Sequence, residues 1–162
     1  MLIIGVDPGT TMSAYVVMDT DDYSIVDKGK IHNDDLLRFI REDNFGVLAI
    51  EVMQSFGMGV GKEVFETAYF IGALMQVASD NRCKVHRVYR TDVKMHHCHT
   101  TRAKDANIRQ ALIDRFGKPG TKKNQGETYG ISADMWSALG IAVFWIDTHK
   151  QQDCNKPVTR EG

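Results

Sequence analysis

The chain begins with short apolar runs that are separated by turn residues. Residues 2–7 and 13–18 are two such runs, and Pro8-Gly9-Thr10-Thr11 stands between them. This pattern predicts two adjacent antiparallel strands. Residues 23–30 alternate loosely and predict a third strand, so the start of the chain predicts a three-stranded meander.

Beyond the meander, helical and strand patterns alternate. Asn33 predicts an N-cap, because Asp34 and Asp35 follow it in the first turn of an apolar-periodic segment. The predicted elements, in chain order, are helix 33–42, strand 47–50, helix 62–78, strand 85–89, helix 101–116 with Thr101 as its cap, loop 118–130 and helix 132–148. Residues 150–162 are polar and predict a disordered tail, which leaves 1–149 as one predicted domain.

The order of these elements predicts an α/β domain. A three-stranded antiparallel meander would be extended by parallel strands into a five-stranded mixed sheet flanked by helices. This order resembles the RNase H-like arrangement. In that arrangement the first and fourth strands lie side by side and parallel, so Asp7 and Glu51 at their carboxyl ends converge.

Charge is distributed very unevenly along the chain. The formal net charge is only −1, yet residues 82–123 hold 12 Lys/Arg against 3 Asp/Glu, and also four of the six histidines. Residues 1–81 hold 5 Lys/Arg against 13 Asp/Glu. A segment with a net charge of +9 favours a phosphate-contacting surface over a merely solvated basic face.

Composition favours a cytoplasmic protein without a membrane segment. No stretch approaches the roughly 20 apolar residues needed to span a bilayer, and the apolar run at 2–6 lacks the basic lead-in of a signal peptide. The three cysteines are widely spaced without a CxxC pair, which favours reduced thiols over a disulfide framework.

Three acidic residues suggest phosphodiester chemistry. Asp7 and Glu51 each follow an apolar strand, and Asp134 enters a hydrophobic helix. Singly they could be a turn former, a strand-end surface residue and a first-turn helix acid. Together they favour a nuclease, because acids that follow two buried strands are costly without a partner, and clustered carboxylates bind Mg²⁺.

Four motifs, in order, resemble those of RuvC-type Holliday-junction resolvases, in particular small, phage-like members. The segment Ile4–Thr10 is similar to the first motif, Ala49–Glu51 to the second, and Asp134–Ala142 to the last. Tyr89–Lys94, with Lys104 beyond it, is similar to the DNA-contacting lysine region. The resemblance covers residues 2 to about 146, nearly the whole chain.

The resemblance implies a metal-dependent endonuclease that nicks four-way or related branched DNA. Asp7, Glu51 and Asp134 would be its catalytic metal ligands for two Mg²⁺ ions, which Mn²⁺ can replace. Lys94 would be a fourth catalytic residue that stabilises charge on the scissile phosphate, although an ordinary surface lysine is the simple alternative. Resolvases of this kind act as homodimers, since a four-way junction has approximate two-fold symmetry.

The expected DNA contacts lie in the basic segment and in one loop. Arg90, Lys94, Arg102 and Lys104 would bind phosphates, which gives affinity without a sequence code. Phe56, on a glycine-flanked loop, resembles the aromatic that resolvases insert at the junction crossover. Its alternative is a residue that folds back onto the core.

The last motif departs from the family pattern. The family carries two acidic or acid/His positions one turn apart in its last helix, whereas this chain has one carboxylate. In one register Ser137 stands at the second position, and in the other Ile131 stands at the first. Glu127 or a water molecule could substitute for the missing carboxylate.

Two further motifs are considered and set aside. His96-His97-Cys98-His99 suggests zinc, but consecutive residues cannot all face one ion, so an exposed or DNA-facing polar turn is favoured. Gly57, Gly59 and Gly61 suggest a phosphate loop, but Glu63 stands where Ser or Thr is needed.

Three other functions compete with the resolvase interpretation. One is an RNA-processing nuclease of the same superfamily, and another is a junction-binding protein with weak or no cleavage. An actin-like or sugar-kinase-like ATP-binding domain also carries an Asp-x-Gly-Thr-Thr loop, but such proteins duplicate the fold, and this chain shows no internal repeat.

The predicted helix 62–78 is the candidate dimer interface. A stripe partly distinct from its core face consists of Phe65, Tyr69, Gly72 and Gln76. The alternative is a helix that simply packs on the sheet.

Overall fold

The elements follow the predicted order, with additions after β5. The computed structural model describes residues 1–54, 57 and 59–154, with side chains described through residue 150. Its elements are β1 (Leu2–Asp7), β2 (Met12–Asp19), β3 (Ile25–His32), α1 (Asn33–Glu42), β4 (Val47–Val52), α2 (Lys62–Asp80), β5 (Lys84–Tyr89), α3 (Arg90–Cys98), α4 (Asp105–Phe116), β6 (Gly120–Thr121), β7 (Asn124–Gln125) and α5 (Met135–Cys154).

The main sheet has five strands in the order β3-β2-β1-β4-β5. β1 pairs antiparallel with β2 and β2 antiparallel with β3. β1 pairs parallel with β4 and β4 parallel with β5. The predicted five-stranded mixed sheet is confirmed, including the parallel contact between the first and fourth strands.

Helices cover both faces of the sheet. Alternate residues of a strand point to opposite faces, so Ile3 packs into the core beneath α5, whereas Ile4 packs into the core beneath α1 and α2. Each face is closed by its own set of buried apolar side chains. The sheet is therefore the middle layer of three.

Gly5 sets how closely α5 approaches β1. A Cβ atom at Gly5 would lie 2.4 Å from the carbonyl oxygen of Ala138 and 2.9 Å from the Cβ of Ala142. Only glycine leaves room for helix backbone at this distance. The first turns of α5 are therefore held directly over the end of β1.

The segment after β5 differs from the prediction. Residues 90–98 form α3, which was not predicted, because only Val93 is buried in it and no apolar periodicity appears. α4 begins at Asp105 rather than near Thr101. Its cap is Lys104, whose backbone N–H donates to the Asn107 side chain at 2.8 Å.

Other boundaries shift by a few residues. The predicted loop 118–130 contains the β6–β7 hairpin. α5 begins at Met135 and continues to Cys154, so the first residues of the predicted tail are helical. The remainder of that tail lies outside the described residues. In α1, His32 is the N-cap instead of Asn33, whose side chain makes other bonds.

No helix in the described part of the chain is long and apolar enough to cross a membrane.

Candidate active site

Asp7 and Glu51 end two parallel neighbouring strands. β1 and β4 pair in register from Ile3 with Val47 to Val6 with Ile50, so the next residue of each strand is Asp7 and Glu51. Both lie on the α5 side of the sheet, because the residues just before them, Val6 and Ile50, point into the core beneath α1 and α2, and successive residues of a strand point to opposite faces. The predicted convergence of these two acids is present.

Asp134 and Ser137 come to the same place from α5. Asp134 is the residue before the helix, and its carbonyl accepts the N–H of Ala138 at 3.1 Å. Its side chain is 51% exposed, against 18% for Glu51. Ala133, in the preceding turn, has a left-handed φ of 44°. Because Gly5 lets α5 approach closely, this turn stands above Asp7.

Burial and mutual repulsion perturb the two strand-end acids. Burial, then the charges of Glu51 and Asp134, raise the pKa of Asp7 to about 7, against the opposing effects of Arg90 and a hydrogen bond from Ser137. Burial also raises the pKa of Glu51, although Arg90 lowers it. These shifts show that negative charge at Asp7 is not fully compensated by the protein.

Two basic residues contact the carboxylates. Arg90, the first residue of α3, donates to Glu51 Oε1 at 3.2 Å and to Oε2 at 3.4 Å. The same guanidinium also pairs with Asp105 of α4. Lys30, on β3, pairs with Asp134. Lys30 was not predicted as a site residue, because its position across the sheet depends on strand register.

The donor set suits a hard cation. Among the described residues, no three Asp, Glu, His or Cys side chains lie close enough together to hold one ion, and Arg90 and Lys30 each pair with one of the carboxylates. The donors available are carboxylate oxygens, which Mg²⁺ and Mn²⁺ accept. The uncompensated charge at Asp7 is what a divalent cation would neutralise, so the residues fit such an ion.

The turn after Asp7 is fixed by a buried polar network. Asn33 donates to the carbonyls of Gly9 and Thr10 at 3.0 and 3.2 Å. Ser13 donates to the Asn33 side-chain oxygen at 2.7 Å and accepts the Gly9 N–H at 3.1 Å. Asn33 was predicted only as a helix cap, so this network adds a supporting role that local sequence could not show.

Shallow clefts flank the carboxylates on two sides. One has a volume of about 350 Å³, and its lining includes Arg109, Asp134, Trp136 and Ser137. The other has a volume of about 240 Å³, and its lining includes Pro8, Glu51, Gln54, Thr67 and Arg90. The acidic centre, which consists of Asp7, Glu51 and Asp134, thus lies between two open grooves.

Comparison with known proteins finds similarity in structure. No protein-family model and no curated protein sequence matches the chain. Thermus thermophilus RuvC is 13% identical with a TM-score of 0.70, over 93% of this chain and 97% of its own. T. thermophilus RuvC in complex with a Holliday junction substrate is 14% identical with a TM-score of 0.73, over 94% and 96%. The chain has the RuvC fold.

A viral protein shares the RuvC fold more distantly. The fowlpox virus Holliday junction resolvase is 12% identical with a TM-score of 0.53, over 92% of this chain and 99% of its own. The fold resemblance inferred from the sequence motifs is confirmed. At these identities the comparison establishes the fold, and the residue roles rest on the geometry.

The predicted basic residues lie at different distances from the acids of this RuvC fold. Lys94 is half-buried in α3 and is close enough to Glu51 to oppose the rise that burial causes in the Glu51 pKa. Arg102 and Lys104 are exposed before α4. Phe56 lies outside the described residues. The DNA-binding roles of all four residues remain predictions, as does that of Arg90.

The histidine motif packs against α5 instead of forming an exposed turn, so that interpretation was wrong. His96 pairs with Asp147 at 2.7 Å, and the His97 ring contacts the carbonyl of Gly140 at 2.9 Å. His99 has a φ of 57° and ends α3. These contacts give His96 and His97 a packing role within the RuvC fold.

The predicted stripe on α2 is exposed. Tyr69 is 70% exposed and Phe65 is 49% exposed, and a Cβ at Gly72 would meet no atom within 4 Å. Met53 and Val60 add exposed apolar surface before the helix. Large exposed apolar side chains on one helix face are typical of interaction surfaces.

Proposed function

We propose that the chain is a divalent-metal-dependent, structure-selective endodeoxyribonuclease that nicks four-way or related branched DNA by phosphodiester hydrolysis. The observation that carries this proposal is the placement of Asp7, Glu51 and Asp134 as electrostatic neighbours on one face of a RuvC fold. The three acids come from three separate elements. Burial raises the pKa of Asp7 most, and the charges of Glu51 and Asp134 raise it further.

Asp7, Glu51 and Asp134 would hold the divalent ions. Two Mg²⁺ ions, replaceable by Mn²⁺, would supply a nucleophilic hydroxide at neutral pH and neutralise charge on the phosphate oxygens. Within the chain, Ser137 lies near Asp7 and favours its ionised form. Lys94 would place an ammonium beside the phosphate, consistent with its proximity to Glu51.

DNA would bind across the acidic centre through phosphate contacts. The basic segment 82–123 contributes α3, α4 and the exposed Arg102 and Lys104. Grooves on both sides of the centre offer two paths for a backbone. Contacts of this kind recognise branched shape and charge more than sequence.

The active form would be a homodimer. Phe65 and Tyr69 give α2 an exposed aromatic face, and Gly72 would allow a second helix to approach it closely. A two-fold dimer places two active sites on a two-fold symmetric junction, which matches the two nicks that resolution needs.

A junction-binding protein with weak or no cleavage is the second candidate. It is favoured by the ion pairs of Lys30 with Asp134 and of Arg90 with Glu51, which occupy two of the three carboxylates. An RNA-processing nuclease of the same fold is a third candidate, which a panel of substrates separates from the first.

The test is a cleavage assay with the purified full chain. Labelled four-way junction, linear duplex and RNA–DNA hybrid are each incubated with Mg²⁺, with Mn²⁺ and with EDTA. We expect symmetric nicks near the branch point of the junction, in either metal and not in EDTA. Size-exclusion chromatography with light scattering gives the oligomeric state in parallel.

Each other outcome selects another function. Tight junction binding without nicks in either metal would support the binding protein. Preferential cutting of the hybrid would support the RNA-processing nuclease. Equal cutting of duplex and junction would contradict structure selectivity while retaining a nuclease.

A further inference from the structure

One row of the sheet joins Lys30 to the acidic centre. Asp7 of β1 pairs in register with Ala14 of β2, and Ala14 pairs in register with Lys30 of β3. Residues paired in register point to the same face of a sheet. Lys30 and Asp7 therefore share the α5 side, two strand spacings or about 10 Å apart at the backbone.

Ala14, between Asp7 and Lys30, leaves space for the Lys30 side chain to reach α5. Ala14 is 1% exposed, and its single methyl group allows the long Lys30 side chain to extend across it toward α5. The ammonium reaches Asp134 Oδ2 at 2.5 Å.

The charges at the site nearly balance without a metal. Asp7, Glu51, Asp134 and Asp105 contribute four negative charges when ionised. Lys30, Arg90 and the nearby Lys94 contribute three positive charges. One divalent ion already exceeds the remaining charge of −1. A second divalent ion would have to displace the ammonium from Asp134, to which it is held by a half-exposed ion pair.

We propose that Lys30 is a positioning residue, a built-in cation that occupies the Asp134 side of the site and limits the DNA-free protein to one tightly bound divalent ion. The inference rests on the proposed function, because it takes Asp7, Glu51 and Asp134 as the metal ligands. It refines the expectation of two ions: the second binds only when Lys30 leaves Asp134.

The test counts bound Mn²⁺ by electron paramagnetic resonance in the DNA-free protein. Wild type should bind one ion tightly and a second ion more weakly. Lys30→Gln should tighten the second site about threefold, as expected when one half-exposed ion pair is removed. Lys30→Arg keeps the cation and should retain the wild-type titration.

Lys28→Gln is the matched control. Lys28 is two residues earlier on β3, on the same face, and pairs in register with Val16 instead of Ala14. Its removal should leave both Mn²⁺ affinities unchanged. Circular dichroism and urea unfolding of each variant confirm that the folded state is the one titrated.

The outcomes separate this inference from the proposed function. Equal second-site affinity in wild type and Lys30→Gln, or equal tightening in Lys28→Gln, would overturn the role of Lys30 while leaving the nuclease assignment intact. Mn²⁺ binding that Asp7→Asn does not weaken would instead overturn the metal assignment itself, and the Lys30 inference with it.

Discussion

Two aspartates, one beside α5 and one within it, have very different surroundings. Asp7 lies beside the first turn of the helix, where burial and two neighbouring acids raise its pKa to about 7. Asp147 lies in the second half of the helix, with 12% of its side chain exposed. It accepts hydrogen bonds from Tyr23 at 2.7 Å and from Arg115 at 2.6 and 2.9 Å, and pairs with His96 at 2.7 Å.

The pKa values of the two aspartates differ because of their hydrogen-bond and charge partners more than because of burial. Burial opposes ionisation of Asp147 as well, yet the hydrogen bonds of His96, Arg115 and Tyr23 hold its pKa far below the usual range. At Asp7 the charge of Arg90 and a hydrogen bond from Ser137 lower the pKa, but by less than burial and the two neighbouring acids raise it. A buried acid that is fully satisfied joins elements of the fold, whereas one left short of positive charge is suited to bind a cation.

The largest expected effect is on the cleavage rate, which Asp7→Asn should reduce and Asp147→Asn should not. Asp7→Asn should reduce junction cleavage by about 10³-fold or more, because the loss of a metal ligand removes several kcal/mol of transition-state stabilisation. Asp147→Asn should leave the cleavage rate of folded protein within about twofold of wild type, since Asp147 touches no group of the acidic centre. Single-turnover assays at saturating enzyme measure both rates.

Junction affinity in EDTA provides the control for Asp7→Asn. It should stay at or above the wild-type value, because the substitution removes a negative charge from the DNA-facing surface. Cleavage that persists at the wild-type rate would remove Asp7 from the site and erase the contrast with Asp147.

The second prediction concerns the pH dependence of stability. The folded pKa of Asp7 is raised from 3.8 to about 7, so an ionised Asp7 destabilises the metal-free fold. This cost is absent below pH 4, grows as the pH rises to about 7 and is constant above it. In EDTA, Asp7→Asn should therefore unfold at the same urea concentration as wild type at pH 4 and at a higher concentration at pH 7.5.

The effect of Asp147 on stability should depend on pH with the opposite sign. Its folded pKa is depressed, so its stabilising effect is present above the unfolded pKa and is lost as the pH falls through acid. If Asp7→Asn is no more stable than wild type at pH 7.5, the assigned environment of Asp7 is wrong.

The third prediction concerns the Asp147 cluster directly. Asp147→Asn should lower the free energy of unfolding by about 2 kcal/mol, less than for a fully buried pair because Arg115 is 38% exposed. Asp114→Asn, on the exposed surface of α4, is the matched control and should change stability by less than about 0.5 kcal/mol. Urea unfolding at pH 7 measures both, and equal effects would mean that the Asp147 contacts contribute little.

The smallest expected effect concerns exposed basic residues, which should tune affinity alone. Lys104→Ala should reduce the slope of log K against log salt by about 0.9, the value for one phosphate contact on duplex DNA. Lys62→Ala, at the start of α2 and outside the basic segment, should leave the slope unchanged. Junction binding in EDTA at several salt concentrations measures it. Equal slopes for wild type and Lys104→Ala would place the binding surface elsewhere.

The sequence predicted the sheet and the convergence of Asp7 and Glu51 because both depend on local patterns. Apolar runs define strands, and their carboxyl ends meet when the strands are parallel. Asp134 followed from its position at the start of an apolar helix. These inferences need the order of elements and no knowledge of register.

The contacts of Lys30 and Arg90 could not be predicted in the same way. Lys30 reaches the site across a row of three strands, and that row is fixed by the pairing of β1, β2 and β3. Arg90 was expected to face DNA, whereas its guanidinium also bonds Glu51. α3 was missed because its sequence carries one buried apolar residue, Val93, so packing on α5 and α4 determines it.

The tight approach at Gly5 has a consequence for any mutational survey of this protein. A Cβ atom at position 5 would lie 2.4 Å from the carbonyl oxygen of Ala138. The steric clash would move the start of α5, together with Asp134, away from β1. A library screened for nuclease activity would score Gly5 as intolerant as the acids, although it takes no part in the reaction. Assayed for soluble expression, the same library would pass some of those variants, and the disagreement between the two screens would identify Gly5 as a spacer.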